Sequence, residues 1–288
     1  MKRLALSFNG GGALGIGPAY ILTKIEQYIG KQINQITHAY AGTSTGAIIA
    51  ACLDEGLSGH TIFDLYKNNL DKIFTKYAWY KRALPTCPTY DNTFLKGILK
   101  EELHGRCSEW LKPIYLTTTF MNGTSEEKVW DTGDTKVDKW FAVLSSTAAP
   151  TYFDTVFDSL GNCFCDGGMW ANDPIMTLVA GLKNEDWDDF KVLSFNTGFE
   201  KPHKEKGNKT LVQWASYIMN DWVARAGNSN YYEACAVLGK QNVYRCSPYC
   251  SYDIKMDDTS SKTIEKIITI WDDWFYQNKH ELLAFINC

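Results

Sequence analysis

The sequence predicts an α/β fold in which a mainly parallel central sheet is covered by helices on both faces, a three-layer α/β/α sandwich. Short apolar runs of strand length alternate along the chain with longer segments whose apolar residues recur at helical spacing. The chain has 288 residues, with no Pro-rich or low-complexity linker and no internal repeat. We therefore expect one domain over residues 1–288, long enough to bury a substantial core.

The predicted elements follow from these patterns in chain order. Residues 2–8 predict a strand and residues 16–29 a helix, while residues 37–56 predict a short strand, a turn and an alanine-rich helix. Two further strands are expected at residues 113–122 and 191–198. Further helices are expected at residues 92–103, 136–146, 174–183, 210–226 and 261–284.

The charge balance argues against a nucleic-acid partner. The chain carries 29 basic and 33 acidic residues, a net charge of −4, and the basic residues do not cluster as they do in a nucleic-acid groove. No stretch reaches the roughly 18 to 20 apolar residues of a membrane span, and the first apolar run is too short for a signal peptide. The nine cysteines show neither zinc-ligand spacing nor a disulfide framework. These features predict a cytoplasmic protein with mostly free thiols.

Residues 9–15, NGGGALG, form a glycine-rich loop between the first predicted strand and the first helix. Gly10, Gly12 and Gly15 match the G-x-G-x-x-G pattern of dinucleotide-binding loops. That fold needs an acidic residue about 20 residues further on to hold the ribose hydroxyls, but residues 27–53 contain none. The loop therefore suits a charge that exists only during a reaction, such as the oxyanion of an ester under attack.

Residues 42–46, GTSTG, form a G-x-S-x-G sequence at a predicted strand-to-helix turn, the arrangement of a nucleophile elbow. The glycines would let the backbone turn sharply and project the Ser44 hydroxyl above the sheet. The amide of Thr45 would then point towards the reacting carbonyl. Taken alone, the pattern also fits a tight turn with a capping serine.

Residues 165–174, CDGGMWANDP, place Asp166 after a short apolar strand. Gly167 and Gly168 have no side chains to crowd the backbone after Asp166, so the carboxylate could enter a narrow site. Taken alone, this motif also fits an Asx-turn with glycines in the left-handed region.

Together with SSTAAPTYF at residues 145–153, these motifs occur in an order and spacing that resembles the patatin-like phospholipase family. The resemblance covers about residues 1–200 and implies a lipid acyl hydrolase without a cofactor or metal, acting on phospholipids or other acyl lipids. Ser44 matches the nucleophile and Asp166 the second member of a Ser/Asp dyad. The oxyanion hole would comprise Gly10, Gly11, Gly12 and Thr45. Motif positions that support these roles are Gly15, Gly42, Gly46, Pro150, Gly167 and Gly168, and residues of about 205–288 would complete the domain with helices.

Two positions depart from the family pattern, and two alternatives stay open. Asn9 stands where the family often has Asp, and Leu14 stands where an Arg or Lys is frequent, so a cation beside the loop is not expected. A soluble esterase with a histidine-completed triad would need His203 or His280, the two histidines that follow Asp166. A relative that binds lipid without cleaving it is the other alternative.

Residues 74–90 mix aromatic and basic side chains in the manner of segments that lie at a lipid surface. Tyr77, Trp79 and Tyr80 are the candidate lipid-contacting residues, and they predict peripheral membrane association. The alternative is a loop whose aromatic rings pack on the body of the protein.

Overall fold

The computed structural model describes residues 2–84, 86–197, 207–208, 210, 214, 228–249 and 254–287. Within these residues an eight-stranded sheet lies at the centre of the protein. Its strands are β1 (Arg3–Phe8), β2 (Thr37–Thr43), β3 (Ile114–Met121), β4 (Ser125–Trp130), β5 (Val156–Phe157), β6 (Cys163–Asp166), β7 (Phe190–Phe195) and β8 (Val243–Cys246).

Helices cover the sheet on both faces, as the sequence predicts. They are α1 (Ile16–Ile29), α2 (Thr45–Asp54), α3 (Gly59–Ile73), α4 (Trp79–Arg82), α5 (Thr93–Glu102), α6 (Lys139–Ser146), α7 (Gly168–Ala171), α8 (Ile175–Asn184), α9 (Asn228–Leu238) and α10 (Ser261–Asn287). A short 3-10 turn at Gly12–Gly15 leads into α1.

Successive residues of the central strands face two separate apolar cores. In β1, Leu6 and Phe8 face the larger core, which α1, α2, α3, α6 and α10 share, whereas Ala5 faces a smaller core beneath α8 and α9. The same alternation places Tyr40 of β2 in the larger core and Ala41 in the smaller one. The predicted three-layer α/β/α sandwich is therefore confirmed.

The sheet is mixed, and its antiparallel part brings two strand ends together. Strands β3, β2, β1, β7 and β8 run parallel in that order, whereas β4 and β6 pair with β3 antiparallel. Along β3, Thr117 pairs with Thr43 of β2, and the next residue, Thr118, pairs with Asp166 of β6. Strands β2 and β6 thus meet end to end beside β3, so the residue after Thr43 and the last residue of β6 become neighbours.

Most predicted elements are observed, with instructive exceptions. The first helix occupies Ile16–Ile29 as expected, but the C-terminal part expected to be helical also contributes strand β8 to the sheet. The predicted helix at 210–226 lies outside the described residues, apart from positions 210 and 214. In the part of the chain that the structure describes, no helix combines the length and apolar character needed to cross a membrane.

Candidate active site

Ser44 occupies the sharp turn between β2 and α2. Its backbone has φ 54° and ψ −122°, a conformation that L-residues rarely adopt and that is kept only where the surroundings enforce it. The two flanking glycines permit this turn, because a Cβ at Gly42 would overlap the backbone of Gly46, and a Cβ at Gly46 would overlap the carbonyl of Phe8. The GTSTG motif therefore forms the elbow that its pattern predicts.

A buried serine holds the elbow from behind. The Ser44 amide donates a hydrogen bond to the side-chain oxygen of Ser146, the last residue of α6, with 2.9 Å between nitrogen and oxygen. Because this amide is engaged, it cannot contribute to an oxyanion hole. Ser146 belongs to the SSTAAPTYF motif, but its contact with Ser44 becomes apparent only in the structure.

Asp166 ends β6 and faces Ser44 directly. The Gly168 amide donates to the Asp166 carboxylate at 2.6 Å, and the Ser44 hydroxyl is placed to donate a second hydrogen bond to it. The Asp166 residue is only 5% exposed. Burial raises the pKa of Asp166 to about 6, although both hydrogen bonds oppose that shift. Gly167 lets the chain lie against β3, because a Cβ there would overlap Thr117.

The glycine loop, residues 9–15, offers backbone amides beside Ser44. Gly11 and Gly12 line the same cleft as Ser44, and their amides have no acceptor among the described residues. Gly10 differs, because its amide donates to the backbone carbonyl of Asn172 at 2.9 Å. The expectation that Gly10 also donates to an oxyanion is therefore corrected: this glycine holds the loop in place, and its small size accommodates the Asn172 side chain.

A third free amide belongs to Thr45, the first residue of α2. It likewise has no acceptor within the described residues, and the positive end of the helix lies at this position. The Thr45 hydroxyl hydrogen-bonds the buried Tyr66 hydroxyl at 2.6 Å, and Tyr66 donates to the Thr45 carbonyl at 2.8 Å. Gly15 leaves room for the Thr45 side chain, because a Cβ at Gly15 would overlap it.

Ser44 and Asp166 line an apolar cleft that is open to solvent. Its walls include Phe74, Ala149, Pro150, Tyr152, Phe153 and Met256. The Met256 carbonyl also accepts a hydrogen bond from the Ala13 amide at 2.7 Å, so the segment before α10 closes one side of the glycine loop. Pro150 thus lies beside the site, where its motif places it.

A second, narrow apolar pocket adjoins the first behind Ser44. It lies among α2, α3 and α5, and its lining includes Ile48, Tyr66, Leu70, Ile73 and Leu95. Ser44 and Gly12 border both pockets, so apolar space is present on two sides of the serine hydroxyl.

Comparison with known proteins places these motifs in a family. A family model for patatin-like phospholipases matches residues 6–179, more than half of the chain. The chain belongs to the patatin-like phospholipase family. The match ends before β7 and β8, so it covers the elbow, the glycine loop and Asp166 but not the last two parallel strands.

Relatives of this patatin-like protein align over part of their length. Patatin-like protein 2 of Arabidopsis thaliana is 28% identical over 257 residues, which cover 73% of this chain and 63% of that protein. The cGAMP-activated phospholipase of Vibrio cholerae serotype O1 is 29% identical over 195 residues, which cover 59% of this chain and 54% of that protein. The patatin-like chain thus spans less than two thirds of each relative's length.

A solved structure supports the fold. VipD from Legionella pneumophila superimposes on the patatin-like chain with a TM-score of 0.51 and 12% identity, covering 96% of this chain and 66% of that one. At this identity the likeness shows a shared fold and no more.

The histidine alternative finds no support in the described residues. The side chain of His280 is exposed on α10, whereas Asp166 is buried and lines the same cleft as Ser44. His203 lies outside the described residues. Among the described residues that line the cleft beside Ser44 and Asp166, none is a histidine.

The candidate lipid-contacting residues differ in exposure. Trp79 is 77% exposed and Tyr80 is 61% exposed, both on the short helix α4. Tyr77 is partly buried instead, and its hydroxyl donates to the Asp154 carboxylate at 2.6 Å. Of the three residues, Tyr77 fixes the segment to the body, and Trp79 and Tyr80 project from it.

Proposed function

We propose that the chain is a lipid acyl hydrolase that cleaves fatty acyl esters of membrane phospholipids through a Ser44–Asp166 dyad. The observation that carries the proposal is that Ser44, on its sharp turn, and the buried Asp166 line the same cleft, with the serine hydroxyl close enough to lower the pKa of the Asp166 carboxyl. This pair borders an apolar cleft beside backbone amides that have no acceptor in the part of the chain that the structure describes. A nucleophile, a base, oxyanion donors and space for an acyl chain are the components that ester hydrolysis requires.

The first half-reaction follows from this geometry. Asp166 takes the Ser44 proton as Oγ attacks the ester carbonyl, and the tetrahedral oxyanion accepts hydrogen bonds from the amides of Gly11, Gly12 and Thr45. Collapse of this intermediate breaks the ester bond and expels the alcohol, which takes the proton from Asp166. The product is an acyl group esterified to Ser44.

The second half-reaction restores the serine. Asp166 removes a proton from water as the water attacks the acyl-enzyme carbonyl, and the same amides hold the second oxyanion. Collapse returns the proton to Ser44 and releases a fatty acid. A carboxylate with its ordinary pKa is a poor base for these steps, so the raised pKa of Asp166 favours the mechanism.

The surroundings of the dyad favour an amphiphilic substrate. The cleft and the second pocket are lined mainly by apolar side chains on both sides of Ser44, which suits a fatty acyl chain on the scissile carbonyl. The names of both relatives described above include patatin or phospholipase, which agrees with a lipid substrate.

We further propose that α4 brings the cleft to a membrane surface. The segment of residues 74–90 is tied to the cleft wall by backbone hydrogen bonds from Thr89 to Thr151 at 3.0 Å and from Tyr90 to Tyr152 at 2.7 Å. Trp79 and Tyr80 project from this segment, and the neighbouring Lys81 and Arg82 are exposed cations. Interfacial aromatic rings with nearby cations suit the headgroup region of anionic lipid.

The test combines covalent labelling with product analysis. The pure protein should react with a fluorophosphonate at Ser44 and should release fatty acids from mixed phospholipid vesicles, measured by mass spectrometry. Ser44→Ala should abolish both reactions, and Asp166→Asn should abolish hydrolysis. A folded wild type that binds vesicles but neither reacts nor hydrolyses would show a lipid-binding relative instead.

A further inference from the structure

A buried ion pair lies beneath the glycine loop, and the proposed chemistry does not use it. Arg245 of β8 and Asp173, which follows α7, approach within 2.6 Å between Nη1 and Oδ2. Their side chains are 8% and 0% exposed. Burial raises the pKa of Asp173, while the Arg245 charge opposes that shift.

Asn9 completes a closed ring with these two residues. With its amide oriented to satisfy both neighbours, the Asn9 nitrogen donates to Asp173 Oδ1 at 3.1 Å, and its oxygen accepts from Arg245 Nη2 at 3.3 Å. Asp173 Oδ1 also accepts from the Ile175 amide at 3.1 Å.

The ring of Asn9, Asp173 and Arg245 adjoins the first residues of the glycine loop, whose backbone amides are hydrogen-bonded, unlike those of the next two residues. The Asn9 amide donates to the Phe195 carbonyl at 3.0 Å, and the Gly10 amide donates to Asn172, the residue before Asp173. The Thr197 hydroxyl donates to the Gly10 carbonyl. The next two amides, of Gly11 and Gly12, have no acceptor among the described residues. The side chain of Asn9 is therefore the link between the ion pair and the unpaired amides.

We propose that Arg245 is a positioning residue that, through Asp173 and Asn9, fixes the direction of the Gly11 and Gly12 amides. The inference rests on the proposed function, since those amides matter only if an oxyanion forms. A buried ion pair gives little net stability compared with apolar residues, because desolvation offsets the attraction. We assign the ion pair a geometric role, because the guanidinium of Arg245 has donors in fixed directions. These donors hold the Asp173 carboxylate and the Asn9 amide at defined angles.

The test separates positioning from folding. Arg245→Met should lower kcat on a water-soluble ester at least tenfold, with KM within twofold of wild type, at a temperature where circular dichroism shows a folded protein. In Arg245→Met the buried Asp173 carboxylate has lost its cation. Adding Asp173→Asn to this variant removes that unpaired charge. The double variant should regain thermal stability but keep the low kcat, because the guanidinium is still missing.

Asn9→Ala provides a second route if Arg245→Met does not fold. It leaves the ion pair intact but removes the acceptor of Arg245 Nη2, so it should lower stability less than Arg245→Met while lowering kcat about as much. Combining the two substitutions should lower kcat little further, because both act through one contact. The matched control is Lys191→Met, which removes a buried cation from neighbouring β7 that donates to the Phe285 and Ile286 carbonyls of α10. It should lower stability and leave kcat unchanged.

Each outcome decides between the proposals. An active wild type with unchanged kcat in folded Arg245→Met, the Arg245→Met/Asp173→Asn double variant or Asn9→Ala overturns the positioning role alone. A kcat loss in Lys191→Met equal to that in Arg245→Met assigns the effect to general stability and also overturns it. A wild type that does not hydrolyse the ester or react with a fluorophosphonate overturns the proposed function, and the positioning role with it.

Discussion

Ser146 accepts a hydrogen bond from the backbone amide of Ser44 at 2.9 Å, although 102 positions separate the two residues in the sequence. The contact ties the end of α6 to a backbone conformation that L-residues rarely adopt. The elbow is therefore held from outside its own motif.

Ser146→Ala should lower kcat about ten- to hundredfold, because small displacements of a reacting group have effects of that size. It should also cost about 1–3 kcal/mol of stability, the typical penalty for a buried donor without an acceptor. Ser145→Ala is the matched control, since the buried Ser145 hydroxyl binds Trp130 Nε1 and the Ala142 carbonyl instead of the elbow. Steady-state kinetics and urea unfolding measure both effects. Equal kcat losses in the two variants would contradict the positioning of Ser44 by Ser146.

Hydrolysis should require an ionised Asp166. Burial raises the pKa of this carboxyl to about 6, and only the carboxylate can take the Ser44 proton. We expect kcat/KM for a neutral, water-soluble ester to be constant above about pH 7 and to fall roughly tenfold per pH unit well below pH 6. Circular dichroism at each pH checks that the protein stays folded. A rate that is independent of pH between 5 and 7 would rule out this base.

Asp166→Asn should make the protein more stable at high pH while abolishing hydrolysis. The pKa of Asp166 in the folded state lies above its ordinary value, so ionisation opposes folding as the pH rises from about 4 through about 6. The gain at pH 8 should be about 1–3 kcal/mol, because each tenfold difference in proton affinity between the folded and unfolded states corresponds to about 1.4 kcal/mol. At pH 4 the gain should be absent. Urea unfolding at both pH values measures it.

Asp158→Asn offers a contrast of opposite sign. Burial favours a higher pKa for Asp158, but hydrogen bonds from Asn162, Leu160 and Gly161 outweigh it and lower the pKa below its ordinary value. This substitution should reduce stability at pH 8 and leave the catalytic rate unchanged. A gain at pH 8 from both substitutions would show that the effect does not come from the burial of Asp166.

Gly11→Ala should displace the glycine loop. A Cβ at this position would meet the Thr197 Cβ at 2.6 Å, so either the loop or Thr197 must move. A misplaced oxyanion donor typically costs a hundredfold or more in kcat. Gly97→Ala on α5 is the control, because a Cβ there meets nothing within 4 Å and should leave kcat unchanged. Normal turnover of a short ester by Gly11→Ala would show that the loop serves another purpose, and nucleotide binding would then be tested directly.

Replacing both Trp79 and Tyr80 with Ser should weaken vesicle binding and phospholipid hydrolysis while sparing a water-soluble ester. The two rings lie on α4 and leave Ser44 and Asp166 untouched. Added salt should weaken the wild-type interaction with anionic vesicles, because charges are screened within about 10 Å at 0.1 M ionic strength. Tyr276→Ser on α10 removes another exposed ring, 49% exposed, and should change neither readout. Equal losses on both substrates would contradict a specific role of the two rings at the lipid surface.

The elbow and the base could be predicted because each is encoded locally. A serine between two glycines at a strand-to-helix turn has few structural solutions, and a carboxylate next to two glycines leaves room for a site. The alternation of strands and helices likewise predicts the layered fold. Each of these signals needs only a few consecutive residues.

The remaining parts depend on contacts between distant segments. Ser146 reaches the elbow because α6 packs against α2 and β3. Thr197 and Arg245 reach the glycine loop because β7 pairs with β1 and β8 pairs with β7. Nothing in the residues around Arg245 indicates a partner at Asp173. Similarly, the engaged amide of Gly10 and the free amides of Gly11 and Gly12 belong to adjacent glycines that the sequence cannot distinguish.

The Met256 carbonyl, which closes one side of the glycine loop through Ala13, has a consequence for how the protein is made. During translation, the glycine loop and Ser44 are synthesised about 200 residues before Arg245 and Met256. A growing chain therefore carries its nucleophile long before the contacts that complete the surrounding site. We expect the glycine loop to take its final geometry only once Met256, 212 residues after Ser44, has been added to the chain.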